Sequence, residues 1–394
     1  MKITIRKHHN SQTVWMIFFL VFPNIKPSSI AALVPLLSQA YNVLSYVSFA
    51  VVLIMIIRSR RTIIQPVMTL ILLMELWIFI ATFLHQSDDM LSNITSFISG
   101  ITIPLIIYAF SDRMEELLTA LLMNFEWLIY ASLISIFIYY PNGMYISGTK
   151  IQYFLGNENG IIFYVIPALF LVSIYMKMKH KYVRGSLLIA ACLANEVIVW
   201  CATGIVGLFI AGILVAISIR RRKLINYYII LVGSLIADFF ITILRTFDQY
   251  NFLTYIINDL LNRSLTLSGR IKIWDQAVTI IEENFMTGLG RGDHVILKGI
   301  VFHAHNEYFQ ILLIGGIPLL LIFLYLLFYL GKRLNDTENN TYARLMCMAM
   351  LACLFIQFIA TSRLTFRLYV PLMLASYIND IDKILPNKER IEGL

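Results

Sequence analysis

Charge is what this sequence has least of. Only 14% of its 394 residues are Asp, Glu, Lys or Arg, against 59% hydrophobic, and its mean hydropathy is +0.76. An ordinary soluble domain carries about 25% charged residues, so a soluble globular protein is excluded. Cysteine is also scarce: Cys192, Cys201, Cys347 and Cys353 all lie in apolar runs, at spacings that match neither a metal site nor a disulfide framework. They read as small core residues. The 31 basic residues outnumber the 23 acidic ones and give a net charge of +8. That surplus sits in short clusters at the ends of apolar runs, which marks topology signals and not a nucleic-acid surface. The basic start (Lys2, Arg6, Lys7) enters an apolar run with no small-residue cleavage site before Pro23, so the run is expected to stay in the protein. The internal repeat that marks many transporters is missing as well.

What the sequence does have is a series of long apolar runs. Each approaches the roughly 20 residues needed to cross a hydrocarbon core about 30 Å thick, and in lipid the backbone must satisfy its hydrogen bonds within the segment, as a helix. The expected fold is an all-α polytopic membrane protein of about twelve transmembrane helices, with a long extracytoplasmic loop carrying short helices between spans nine and ten. The first run, near 13–37, is broken by Pro23, Lys26 and Pro27. Basic clusters at Arg58–Arg61, Lys177–Arg184, Arg220–Lys223 and Lys332–Arg333 all fall on one side if the N-terminus is cytoplasmic. The C-terminus then lies inside too, and the segment from Arg245 to about His303 lies outside. The chain divides into spans one to nine (1–244), an extracytoplasmic catalytic loop (245–304), and spans ten to twelve with a cytoplasmic tail (305–394).

The outer segment gathers Arg270, Arg291, His294, His303 and His305 near a membrane surface. Ser268 is suited to cap a helix in which Ile273, Ala277, Ile280 and Ile281 recur at helical spacing, with Arg270 and Trp274 one turn apart on a shared face. Such an amphipathic helix is expected at the outer surface, with Arg270 toward the headgroups. Thr287-Gly288-Leu289-Gly290-Arg291-Gly292 is a Gly-rich turn whose amides are placed to approach an anion. A helix from about Ala304 puts Asn306 and Gln310 on one face. His suits proton acceptance near neutral pH. A His beside a guanidinium is the minimum that sugar transfer from a lipid diphosphate needs, because Arg stabilises the departing phosphate without a metal. No metal site and no cofactor is expected.

Ser268-Gly269-Arg270 with Trp274, Thr287-Gly288-Leu289-Gly290, His305-Asn306 with Tyr308 and Gln310, and Gly316-Ile317-Pro318 together resemble the signature of the O-antigen ligase and O-antigen polymerase superfamily. The resemblance implies a metal-independent glycosyltransferase on the outer face of the cytoplasmic membrane. Its donor would be an undecaprenyl-diphosphate-linked oligosaccharide, and its product a surface polysaccharide such as O-antigen, capsule or exopolysaccharide. A flippase and a chain-length regulator are the partner proteins it implies. His305 would be the catalytic base and Arg270 the contact to the donor diphosphate. Arg291, Arg363, Arg367, Asn306, Trp274, Gly288 and Gly290 complete the expected substrate site. Two departures stand out: Asn157-Glu158-Asn159 occupies the place of an Asn-Pro-Asn element, and Thr203-Gly204-Ile205 replaces a Ser-Arg pair. The second favours a polymerase over a ligase, and a lipid-linked oligosaccharide flippase or transporter is the alternative from another class. Glu75, Glu196 and Asp238, set within apolar runs, are expected to face the bundle interior; Glu75 and Asp238 are expected to make structural hydrogen bonds, and Glu196 to help bind the acceptor.

Overall fold

The computed structural model describes residues 11–59, 65–85, 90–148, 150–244, 270–291, 303–335, 340–362 and 365–386. Arg245, Arg263, Ser268, Gly269, Gly292, His294 and Arg363 lie outside the described residues.

The helices follow the apolar runs. The broken first run folds as α1 (Ser11–Val21), a tight turn Phe22–Asn24 at Pro23, and α2 (Ser28–Leu33) behind Pro27. The chain continues through α3 (Pro35–Arg58), α4 (Pro66–His85), α5 (Met90–Ala109) and α6 (Met114–Tyr139). After the loop that follows α6 come α7 (Glu158–Lys179), α8 (Tyr182–Ile198), α9 (Ala202–Arg221) and α10 (Tyr227–Phe239), which runs on as a wide turn through Leu244. Beyond the long polar segment lie α11 (Arg270–Glu283), α12 (Glu307–Leu334), α13 (Tyr342–Ala360), α14 (Phe366–Ser376) and α15 (Ile378–Ile384).

Among the described residues, eight helical stretches are long and apolar enough to cross a membrane: α3 to α7, α9, α12 and α13. The other expected spans fall on shorter elements, namely the broken α1–α2 pair, α8, α10 and α14. The loop after Pro141 contains a small antiparallel hairpin, β1 (Tyr145–Ser147) with β2 (Lys150–Gln152), pairing Ile146 with Ile151. Its Lys150 pairs with Glu158 at 3.1 Å, so the middle residue of the Asn-Glu-Asn element is tied to the hairpin. The four cysteines are buried and unbridged, as expected of small core residues.

The ends of the helices are sorted by charge. Arg113 donates to Thr13 at 2.6 Å, Glu115 pairs with Lys179, Lys177 lies over the Tyr342 ring, and Arg344 donates to the Arg333 carbonyl at 2.8 Å. Those contacts chain the start of α1, α6 and α13 to the last turns of α7 and α12, so the clusters at Lys177–Arg184 and Lys332–Arg333 share one end of the bundle. The hairpin, the Gly-rich turn and the start of α12 belong to the opposite end. There Trp77 donates to the Gly315 carbonyl at 2.7 Å, Ser28 to Leu155 at 3.0 Å, and Gln357 to Thr203 at 3.0 Å. With the basic end cytoplasmic, a cysteine introduced at Asn142 is expected to react with a membrane-impermeant maleimide from outside intact cells. One at Lys223 is expected to react only after permeabilisation; the reverse pattern would invert the topology.

Candidate functional site

The site is built by residues 270–291 and 303–306 closing onto α12. The stripe Ile273, Trp274, Ala277 and Ile281 on α11 is buried, with Trp274 only 1% exposed, and packs against Ala304, Phe309 and Leu313. This corrects the expectation of a surface helix: its apolar face is sealed by protein, because α12 begins with its own apolar side turned toward it. Arg270 opens α11 and is half-buried.

Two hydrogen bonds pin the backbone just before His305. The Trp274 indole N–H donates to the Ala304 carbonyl at 3.0 Å, and the Ala304 N–H donates to the Gln310 side-chain oxygen at 2.9 Å. His305 follows with φ +51°, in the left-handed region where a residue other than Gly costs about 1–3 kcal/mol and persists only when its surroundings over-determine it. Its ring is half-buried and meets the His303 ring edge-to-face at 5.7 Å between centroids. Asn306 is wholly buried. Its oxygen accepts from the Phe309 N–H at 3.0 Å and its amide nitrogen donates to Asp238 of α10 at 2.5 Å. The helix therefore starts at Glu307 and not near Ala304, because Asn306 caps it. Asn306 and Trp274, expected as substrate contacts, are spent on holding the turn that carries His305.

The Gly-rich turn has a structural task that its sequence does not announce. α12 breaks at Gly316, with φ +61° and ψ −162°, and Pro318 has no N–H to donate to the Ile314 carbonyl. The turn supplies what the helix lacks. Leu289 N–H donates to the Leu313 carbonyl at 2.7 Å and Gly290 N–H to Ile314 at 2.8 Å, while Ile317 N–H is taken by Phe285 at 2.9 Å. A Cβ on Gly288 would stand 2.5 Å from the Gly315 nitrogen, and one on Gly290 2.3 Å from Thr82 Cα. Gly288 and Gly290 are thus required for close backbone approach. Their amides, with that of Gly288 donating to Asn284 at 2.8 Å, are committed to carbonyls and are not presented to an anion.

Arg291 ends the turn in a buried ion pair. Its backbone N–H donates to Thr82 at 2.9 Å, and its guanidinium meets both oxygens of Glu75 at 3.0 and 2.9 Å. Glu75 is fully buried and also accepts from the Tyr369 hydroxyl at 2.6 Å. Glu75 is therefore structural, as expected, but its place as the counter-ion of Arg291 was missed, as were Tyr369 and Trp77. The one available signal was a carboxylate in mid-span that needs a cation, and nothing in the sequence says which. Arg367 donates to the Tyr164 hydroxyl at 2.8 Å and lies over that ring at 4.8 Å. Glu196 is fully buried, with neither carboxylate oxygen hydrogen-bonded to an N or O partner. Among the described residues no three His, Cys, Asp or Glu side chains cluster as a metal site would require.

Residues 201–324, from the start of α9 into α12, match the family described as O-antigen ligase. The resemblance carried by the motifs is thereby borne out: the chain holds an O-antigen ligase domain, consistent with the O-antigen polymerase and ligase superfamily. That match supports glycan transfer of the ligase or polymerase type in general. No curated protein matches the sequence. The domain contains Arg270, Trp274, the Gly-rich turn and His305, whereas Glu75, Tyr369 and Arg367 lie outside it.

Removing one partner of a buried ion pair strands the other charge and typically costs about 3–5 kcal/mol. Glu75→Ala is expected to lower stability by that order, read by denaturant or thermal unfolding of the detergent-solubilised protein. Glu75→Ala combined with Arg291→Met is expected to recover most of the loss. A single Glu75→Ala variant as stable as the parent would show that the pair is not buried.

Proposed function

We propose that this protein is a polysaccharide polymerase. It would move a glycan from undecaprenyl diphosphate to a hydroxyl of another lipid-linked repeat unit, on the outer face of the cytoplasmic membrane. The single observation that carries the reading is the backbone of His305, held in a left-handed conformation between the doubly pinned Ala304 and the buried cap Asn306, within the matched domain. A side chain whose backbone is fixed at that cost is pre-organised, and pre-organisation is what general-base chemistry needs.

In the proposed reaction the acceptor hydroxyl oxygen bonds to the anomeric carbon of the donor while the bond from that carbon to the phosphate oxygen breaks. His305 takes the hydroxyl proton, and the electron pair leaves with undecaprenyl diphosphate. Arg270, at the start of the helix whose Trp274 positions His305, would face the developing phosphate charge. Arg carries that charge in every protonation state of the site, so the step calls for no metal. Arg367 is held beside Tyr164 and is a further candidate; Arg363 remains one from sequence, outside the described residues. The catalytic division of the chain would be the outer segment 245–304 braced between the spans before and after it. Its substrate would arrive through a flippase, and a chain-length regulator would set when growth stops.

A second reading, transfer of finished glycan to a lipid or protein acceptor, is supported by the description of the matched family as a ligase. The two differ only in the acceptor. The replacement of a Ser-Arg pair by Thr203-Gly204 favours polymerase.

His305→Ala is expected to express and insert normally but to stop chain growth, leaving single repeat units on lipid at the outer face. Long-chain polymer at the parental level in that variant would overturn the assignment. Trp274→Phe keeps the apolar body but removes the N–H that holds Ala304, leaving a buried carbonyl unsatisfied at a cost of about 1–3 kcal/mol. The expected result is a turnover number reduced about tenfold or more, with the apparent KM for the lipid-linked unit little changed.

A further inference from the structure

A cavity of about 410 Å³ lies at the break between α1 and α2, walled by α3, α5 and the end of the Gly-rich turn. Lys26, Asn24, Ser96, Ser99, Arg291 and Thr365 line it, and no Asp or Glu is among its lining residues. Its size falls in the range of small-ligand sites.

Lys26 is the unusual member. It sits between Pro23 and Pro27 where the first run is interrupted, half-buried, and its ammonium donates to Ser38 at 3.0 Å and Asn42 at 2.9 Å. Both partners are neutral, and among the described residues Lys26 has no ion pair. Arg291 enters the same cavity with its charge already offset by Glu75. The lining therefore carries one cation beyond balance. A charge held within a membrane-spanning bundle is costly unless something offsets it, and hydroxyl and amide donors around a lone cation suit a phosphate. On the α3–α5 side of the cavity Tyr46 and Thr95, both lining residues, are hydrogen-bonded at 2.7 Å at the exposed surface. Next to it α3 exposes Val43, Leu44 and Val47 outward. That exposed apolar face lies beside the cavity, where a ligand's long apolar tail could run along α3.

We propose that this cavity binds the diphosphate of a polyprenyl-linked saccharide, with Lys26 as the charged contact. The assignment rests on the glycan-transfer reading, and it adds a diphosphate contact from α1–α2, outside the matched domain, in a cavity that neither Arg270 nor His305 lines. It also gives the broken first run a purpose: a straight helix would bury Lys26 without Ser38 and Asn42 to receive it.

The test uses the full-length protein in nanodiscs of phosphatidylcholine, with undecaprenyl diphosphate as the probe and phosphatidylglycerol as the comparison. Lys26→Gln, which keeps donors toward Ser38 and Asn42, is expected to weaken undecaprenyl diphosphate binding about tenfold or more, the loss of one charge-assisted contact. Lys26→Arg is expected to retain binding within about threefold of the parent, and Ser99→Leu, which fills the cavity from α5, to weaken it. Unchanged binding by Lys26→Gln overturns the proposal, as does a Lys26→Arg variant no better than Lys26→Gln. Phosphatidylglycerol binding with the same dependence on Lys26 also overturns it, since the cavity would then hold an ordinary lipid headgroup. Parental glycan transfer by His305→Ala would sink the function proposed for the chain while leaving Lys26-dependent binding standing, so the two failures are separable.

Discussion

The break in α12 at Gly316 is the constraint on which the rest of that end of the bundle depends. A helix interrupted inside a membrane exposes carbonyls that water cannot satisfy, and each one left orphaned costs several kcal/mol. Leu313, Ile314 and Gly315 are those carbonyls, and their partners are Leu289, Gly290 and the Trp77 indole. Accounting for them fixes where the Gly-rich turn lies, which in turn fixes where Arg291 enters the bundle and where α11 must run to reach the turn. Once α11 is placed, Trp274 reaches Ala304 and the orientation of His305 is set. The turn that carries His305 is thus positioned by a hydrogen-bond requirement several residues away in α12.

Charge is handled by the same economy of space. Glu75 and Arg291 meet in bidentate geometry with Tyr369 taking part, the arrangement in which a buried pair best offsets its desolvation. Gly100 permits it: a Cβ there would lie 2.7 Å from the Glu75 carboxyl carbon. Paired in this way, Arg291 serves as a brace between α4 and the Gly-rich turn. Asp238 is used differently, as an anchor that fixes the amide of Asn306 and with it the first turn of α12.

Much of this was legible in the sequence, for a physical reason: in lipid the hydropathy of a run and the chemistry of its ends dictate a helix and its direction. The apolar runs became helices, Pro23 and Pro27 broke the first, and the basic ends of α7 and α12 came together. The motif His305-Asn306 with Tyr308 and Gln310 was visible too, because its members are neighbours in sequence. What was hidden lay at long range. Glu75 and Arg291 are separated by 216 positions, and no local pattern pairs them. Gly288 and Gly290 looked like an anion cradle because the same residue type serves both loose turns and close backbone contact, and only the neighbouring Gly315 and Thr82 decide between the two. Asn306 looked like a substrate ligand because a cap and a ligand use the same amide. Lys26 was legible only as an interruption.

The central claim is that the pinned turn presents His305 as the base of a glycan transfer. Its most direct test is a single-turnover assay with purified protein in vesicles, using one lipid-linked repeat unit as both donor and acceptor, in which bound donor and joined product are measured on the same sample for the parent and for His305→Ala. The account predicts that His305→Ala holds the lipid-linked donor as well as the parent does, while product formation falls by about 10²- to 10⁴-fold, the range general-base catalysis contributes. Product formed at the parental rate by His305→Ala would contradict it.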